Sequence, residues 1–138
     1  YALLQGQCRD AVFSYGTALY LWGLSDRTPH IYDITVPRDK NISILKRDNP
    51  DLRCHYLPRD VYEIGITQTR SPQGAEIQLY DKERCLCDLI RNKEQMDMQL
   101  YTQAIKDYFK AKPNNRKLLK YGKLFGIEDK IRTYMEVL

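Results

Sequence analysis

The sequence predicts an α+β domain with an N-terminal helix, a small, mostly antiparallel sheet containing a hairpin, and then a C-terminal group of about four helices. Three observations carry that expectation. Apolar residues alternate with period two in short stretches before residue 80, and they recur with a period near 3.6 from Asp81 onward. No fixed-period repeat or low-complexity segment interrupts either half. A chain of 138 residues suits one core, so residues 1–138 are expected to form a single domain.

The first helix is expected at Ser14, whose hydroxyl can accept from the amides of a first turn. In AVFSYGTALYLWGL, residues 11–24, its apolar face is Ala18, Leu21 and Trp22, and Gly23 followed by Ser25-Asp26 supplies the stop. Residues 30–36, HIYDITV, alternate Tyr32, Ile34 and Val36 with Ile31, Asp33 and Thr35, the pattern of a half-buried strand that Pro37 closes. Residues 39–53 are polar around Asn49-Pro50 and allow a turn or short helix near residues 42–45. LRCHYL, residues 52–57, is the second strand. Residues 63–70 and 75–80 flank Ser71-Pro72-Gln73-Gly74, where proline presets the first turn dihedral and glycine closes the bend, so the pair is a β-hairpin.

Asp81 then caps a helix running to about residue 92, with Tyr80 packing on Cys85 and with Leu86, Leu89 and Ile90 facing inward. A helix over residues 96–111 buries Tyr101, Ala104, Ile105, Tyr108 and Phe109 and ends before Pro113. Asn114 caps the next, which carries Leu118, Tyr121 and Phe125 and stops at Gly126. The last buries Ile127, Ile131, Tyr134, Met135 and Leu138.

Composition narrows the setting. Apolar residues make up 43% and charged residues 29%, the balance of an ordinary folded domain. No apolar run reaches the roughly 18 to 20 residues that cross a bilayer, so no membrane partner is expected. Cys8, Cys54, Cys85 and Cys87 fall in segments of normal core composition and are expected to be reduced, which suits a cytoplasmic protein. The chain opens at Tyr1 without a signal segment, which reads as the interior of a longer protein with a module upstream. The net charge of +4 is unevenly placed: residues 1–79 hold nine basic and nine acidic side chains, and residues 80–138 hold thirteen and nine. Within residues 106–123 lie seven basic residues against one acid, Asp107, a bias that suits a polyanion.

Most catalytic chemistries find no footing. Zinc needs paired ligands, whereas Cys85-Leu86-Cys87 has the wrong gap and His30 and His55 are distant in sequence. The same two histidines are the only bases for an activated nucleophile, and each reads as a surface or packed polar residue. Neither glycine-rich phosphate loop is present, and no cofactor is expected. One enzymatic alternative stays open: a metal-dependent nuclease could use Asp33, Glu63 and Glu76 on neighbouring strands. Against it stands a binding surface, because Arg116, Lys120 and Lys123 recur at i, i+4 and i+7 with Lys117 alongside. These four are the candidate DNA-binding residues, suited to phosphates and not to base edges.

The run AVFSYGTALYLWGLSDRTPHIYDITVP, with Ser14, Thr17, Ala18, Leu21, Gly23, Leu24 and Pro29 in order, resembles the C-terminal domain of AbiE-type abortive phage infection antitoxins. YDKERCLCDLIR, residues 80–91, resembles the family's aspartate-arginine-aspartate helix at Asp81, Arg84 and Asp88, following Gly65-Ile66-Thr67 and the hairpin. The resemblance covers nearly the whole chain. It implies a regulator of a bacterial type IV toxin-antitoxin system, with an upstream winged helix-turn-helix that binds inverted repeats in operator DNA and represses its own operon. It also implies a toxin that resembles a nucleotidyltransferase and is countered without a stable complex. No catalytic residues come with it, and Asp81, Arg84 and Asp88 read equally as a cap, a salt bridge and a core-edge acid.

Overall fold

Described over all 138 residues by a computed structural model, the chain is an α+β fold of eight α-helices and one five-stranded sheet. The strands are β1 (Val12–Phe13), β2 (Tyr32–Pro37), β3 (Leu52–Leu57), β4 (Ile66–Arg70) and β5 (Glu76–Tyr80), in spatial order β3-β2-β1-β5-β4. The hairpin is present, with Ile66 opposite Tyr80 and Arg70 opposite Glu76. The sheet is mixed, however, and not mostly antiparallel: β2 lies parallel to β3, and β1 parallel to β5. Connection length is the reason. The segment between β2 and β3 holds the helix α3 (Ser43–Asp48) and is long enough to carry the chain back and restart it in the same direction.

Helix α1 (Ala2–Gln7) precedes the first expected one, which is α2 (Tyr15–Leu21). Ser14 occupies the cap position of α2, yet its side chain makes no capping bond. Its hydroxyl accepts instead from Thr35 Oγ1 at 2.9 Å, because α2 lies against β2. The buried face of α2 is Thr17, Ala18 and Leu19, while Leu21 and Trp22 are half-buried at its edge. That packing also buries β2 on both faces. Asp33 and Thr35 are enclosed along with Ile34 and Val36, and Asp33 N donates to Thr17 Oγ1 at 2.8 Å, so a buried amide is satisfied.

The centre of the sheet is its shortest strand. Ala11, Val12 and Phe13 are wholly buried, and β1 pairs with β2 on one side and β5 on the other. Where β1 runs out, the side chain of Gln5 continues the ladder: its Nε2 donates to Ala11 O at 2.9 Å, and its Oε1 accepts from Gln78 N at 2.8 Å. A one-turn helix, α4 (Arg59–Tyr62), fills the approach to β4, so Glu63 caps that turn and is not on a strand.

Four helices complete the chain as the periodicity predicts: α5 (Lys82–Arg91), α6 (Met98–Lys110), α7 (Asn115–Phe125) and α8 (Glu128–Val137). Asp81 caps α5 by accepting from Arg84 N at 2.8 Å, and Asn114 caps α7 by accepting from Lys117 N at 3.1 Å. A third cap, Asp97, opens α6 by accepting from Leu100 N at 2.9 Å. Each such cap is worth about 1 kcal/mol. Tyr101, Ala104, Ile105, Tyr108, Leu118, Ile127 and Ile131 are buried as expected, whereas Phe109, Tyr134 and Met135 are half-buried and Leu138 is 53% exposed beyond the last turn. No helix is long and apolar enough to cross a membrane.

Candidate nucleic-acid interface

Helix α7 is sharply two-sided. Leu118, Tyr121 and Gly122 face the core, and Arg116, Lys120 and Lys123 are exposed on the opposite side, one or two turns apart. None of the three has a carboxylate within ion-pair distance, so their charge is free to act outward. The three line a shallow concavity together with Leu119, Leu124 and Arg132, the last from α8. Arg132 is held in place by Glu128, whose Oε1 accepts from Nη2 at 3.0 Å. Arg132 was not among the candidates; the signal for it is the left-handed Gly126, which ends α7 and lets α8 fold back beside it.

Lys117 belongs to a different environment. One residue is about 100° around a helix, enough to turn Lys117 away from Arg116 toward α5. Its Nζ lies 2.9 Å from Asp81 Oδ2 and 3.6 Å from Glu83 Oε1. Tyr121 donates its hydroxyl to Asp81 Oδ2 at 2.8 Å, and Tyr108 donates to Glu83 Oε2 at 2.7 Å. Burial, together with those bonds to carboxylates, raises the pKa of both tyrosines well above the ordinary value, so both stay neutral donors. Burial works against the charge on Lys117, but its bonds to Asp81 and Glu83 outweigh that and raise its pKa. Lys117 is thus a clamp between α5 and α7, and the outward cationic face consists of Arg116, Lys120, Lys123 and Arg132.

Beneath that clamp sits Arg84, wholly buried. Its guanidinium lies between the rings of Tyr80 at 4.1 Å and Phe125 at 4.7 Å, donates Nε to Asp88 Oδ1 at 3.0 Å, and donates Nη1 to Val61 O and Ile64 O, each at 2.7 Å. One side chain therefore ties α5 to α7 and to the turn that starts β4. Gly65 in that turn has φ +84, and a Cβ there would come within 2.8 Å of the Arg84 Cβ, so only glycine fits. Burial holds the Asp88 carboxyl above the usual carboxylate range against the pull of Arg84 and Arg91. Arg84 Nη2 and Asp88 Oδ2 have no protein partner. The Asp81, Arg84 and Asp88 trio is a cap, a buried ion pair and a core acid.

The nuclease candidates do not converge. Asp33 is buried on β2 and bonded to His55 Nε2 at 3.0 Å; Glu63 is exposed after α4; Glu76 is exposed opposite Arg70. No group of three or more His, Cys, Asp or Glu side chains is placed to share a metal ion. His30 is exposed, and all four cysteines are free. Burial pushes the Cys87 thiol up to about 12 and the Cys85 thiol well up, which keeps both protonated and poor nucleophiles. No protein-family model matches the sequence, and no curated protein does.

Proposed function

We propose that this chain is the regulatory domain of an antitoxin that represses its own operon, holding DNA phosphates through the outer face of α7 while an upstream module reads the operator. The observation that carries the DNA part is the row formed by Arg116, Lys120 and Lys123, exposed, unpaired with carboxylates and extended by Arg132 on α8. A row of free cations on a helix needs only charge and reach to hold a phosphate backbone, and such contacts position without specifying sequence. The antitoxin part rests on the resemblance of residues 11–37 and 80–91. On this reading the domain binds and does not catalyse, and it counters a nucleotidyltransferase-like toxin in the cytoplasm without a lasting complex.

The test of the DNA part is the binding of duplex DNA by fluorescence anisotropy across a salt series. Replacing Arg116, Lys120 and Lys123 by Ala should flatten the plot of log affinity against log salt by about 2 to 3, at roughly 0.9 per lost phosphate contact. An unchanged affinity and slope would remove this face from the reading. The antitoxin part is tested separately by growth rescue on co-expression with the neighbouring toxin gene, and failure of rescue by the full-length protein would sink it.

A further inference from the structure

A second polar site lies where the edge strand β3 meets the start of α2 and the last turn of α5. Tyr15 opens α2 with φ +48, a left-handed backbone that a bulky residue rarely adopts. Two contacts hold it there: its ring stacks on His55 with centroids 4.2 Å apart, and its hydroxyl accepts from Asn92 Nδ2 at 2.9 Å. Beside this stack stand two guanidiniums. Arg53, two residues from His55 on the same face of β3, lies 3.7 Å from Asp33 Oδ1, and Arg91, next to Asn92, lies 3.6 Å from Asp88 Oδ1.

Both of those distances are too long for a hydrogen bond, and neither the Arg53 nor the Arg91 guanidinium donates one to any other group of the protein. The two aspartates are already bonded, Asp33 to His55 and Asp88 to Arg84, both at 3.0 Å. Asp33 and Asp88 are buried, while the Arg53 and Arg91 side chains are 58% and 31% exposed. Arg91 is further steadied over the Phe125 ring at 4.7 Å. The result is two guanidiniums with unused donors, each beside an aspartate of the network that also holds the partly exposed Tyr15–His55 stack. Guanidinium forks match the oxygens of a phosphoryl group, and a stacked aromatic pair offers its open face to a planar base.

We propose that Arg53, His55 and Arg91 form a binding site for the phosphoryl group of a nucleotide, with the Tyr15–His55 stack as the platform for its base. The site is independent of the cationic face of α7. It is tested by following the His55 and Tyr15 ring resonances during titration with adenosine 5′-monophosphate, with inorganic phosphate as the comparison. Saturable shifts are expected with both, the nucleotide binding roughly tenfold more tightly because of the platform. The Arg53→Gln and Arg91→Gln variants should each weaken nucleotide binding by about tenfold or more, and the triple variant of Arg116, Lys120 and Lys123 should leave it unchanged. Arg53 is exposed, so its variant keeps the fold and isolates the contact. The proposal is overturned if neither ligand gives saturable shifts at about 10 mM, well above the affinity two charged forks supply, if phosphate binds as tightly as the nucleotide, or if Arg53→Gln leaves the affinity unchanged.

Discussion

Helices α5 and α7 carry similar densities of charge and put them to opposite uses. On α5, Glu83, Arg84 and Asp88 are buried and face Tyr108, Tyr80, Phe125 and the backbone of residues 61–64. On α7, Arg116, Lys120 and Lys123 face outward and meet no acid. Lys117 stands between the two regimes, on α7 by sequence and in the α5 network by contact. A charged residue's role is therefore set by what its face of the helix meets. Charge on α5 is part of the core's construction, and charge on the outer face of α7 is a property of the surface.

The largest expected effect breaks the α5 side. Arg84→Ala would leave Asp88 buried without its main partner and should cost about 3 to 5 kcal/mol in urea unfolding. Because Arg84 Nη2 and Asp88 Oδ2 already lack partners, the pair is not fully compensated, and the joint variant Arg84→Met with Asp88→Leu should recover most of that loss. A joint variant as unstable as Arg84→Ala would show that the ion pair itself, and not its broken half, supplies the stability. Next is the seam between α7 and α8. A Cβ at Gly122 would lie 2.5 Å from Ile131 Cδ1, so Gly122→Ala should cost about 1 to 3 kcal/mol, and adding Ile131→Val should restore part of it. Smallest and most diagnostic is the contrast within α7. Lys117→Ala should lower stability by up to about 1 kcal/mol, as expected for a half-exposed ion pair. Its effect on the salt dependence of DNA binding should be slight. Lys120→Ala should do the reverse, with stability within about 0.5 kcal/mol of the parent and a salt slope reduced by about 0.9. Identical behaviour of the two variants would erase the distinction drawn between the faces.

The sequence was easiest to read where a single helix meets a single core. Strand β3 falls where its LRCHYL run places it, and α5, α7 and α8 start within a residue or so of their expected positions because Asp81, Asn114 and Gly126 punctuate them locally. What was not legible depended on distant partners. β1 is too short to show alternation, and its parallel neighbour β5 arrives from the other half of the chain. The pattern of β2 suggested one polar face, but α2 covers Asp33 and Thr35: Thr17 takes the Asp33 amide, the cap residue Ser14 takes the Thr35 hydroxyl, and His55 on β3 holds the Asp33 carboxylate. Of the candidate interface, three residues were readable from helical spacing. Lys117 was not, because Asp81 and Glu83 lie on a different helix, and Arg132 was not, because its contribution depends on how α8 folds back. The Tyr15 and His55 stack left no trace in the pattern, since nothing in the order of residues marks a tyrosine with positive φ.

The brevity of β1 has a consequence for synthesis. While the chain emerges from the ribosome, β1, β2 and β3 can assemble before β5 exists, leaving one flank of β1 waiting for its partner. A long waiting flank would recruit strands from other nascent chains. Here the flank is only two residues long, and Gln5 from α1 already takes the carbonyl of Ala11 next to it. The protein thus presents little for a stray strand to join until β5 closes the gap.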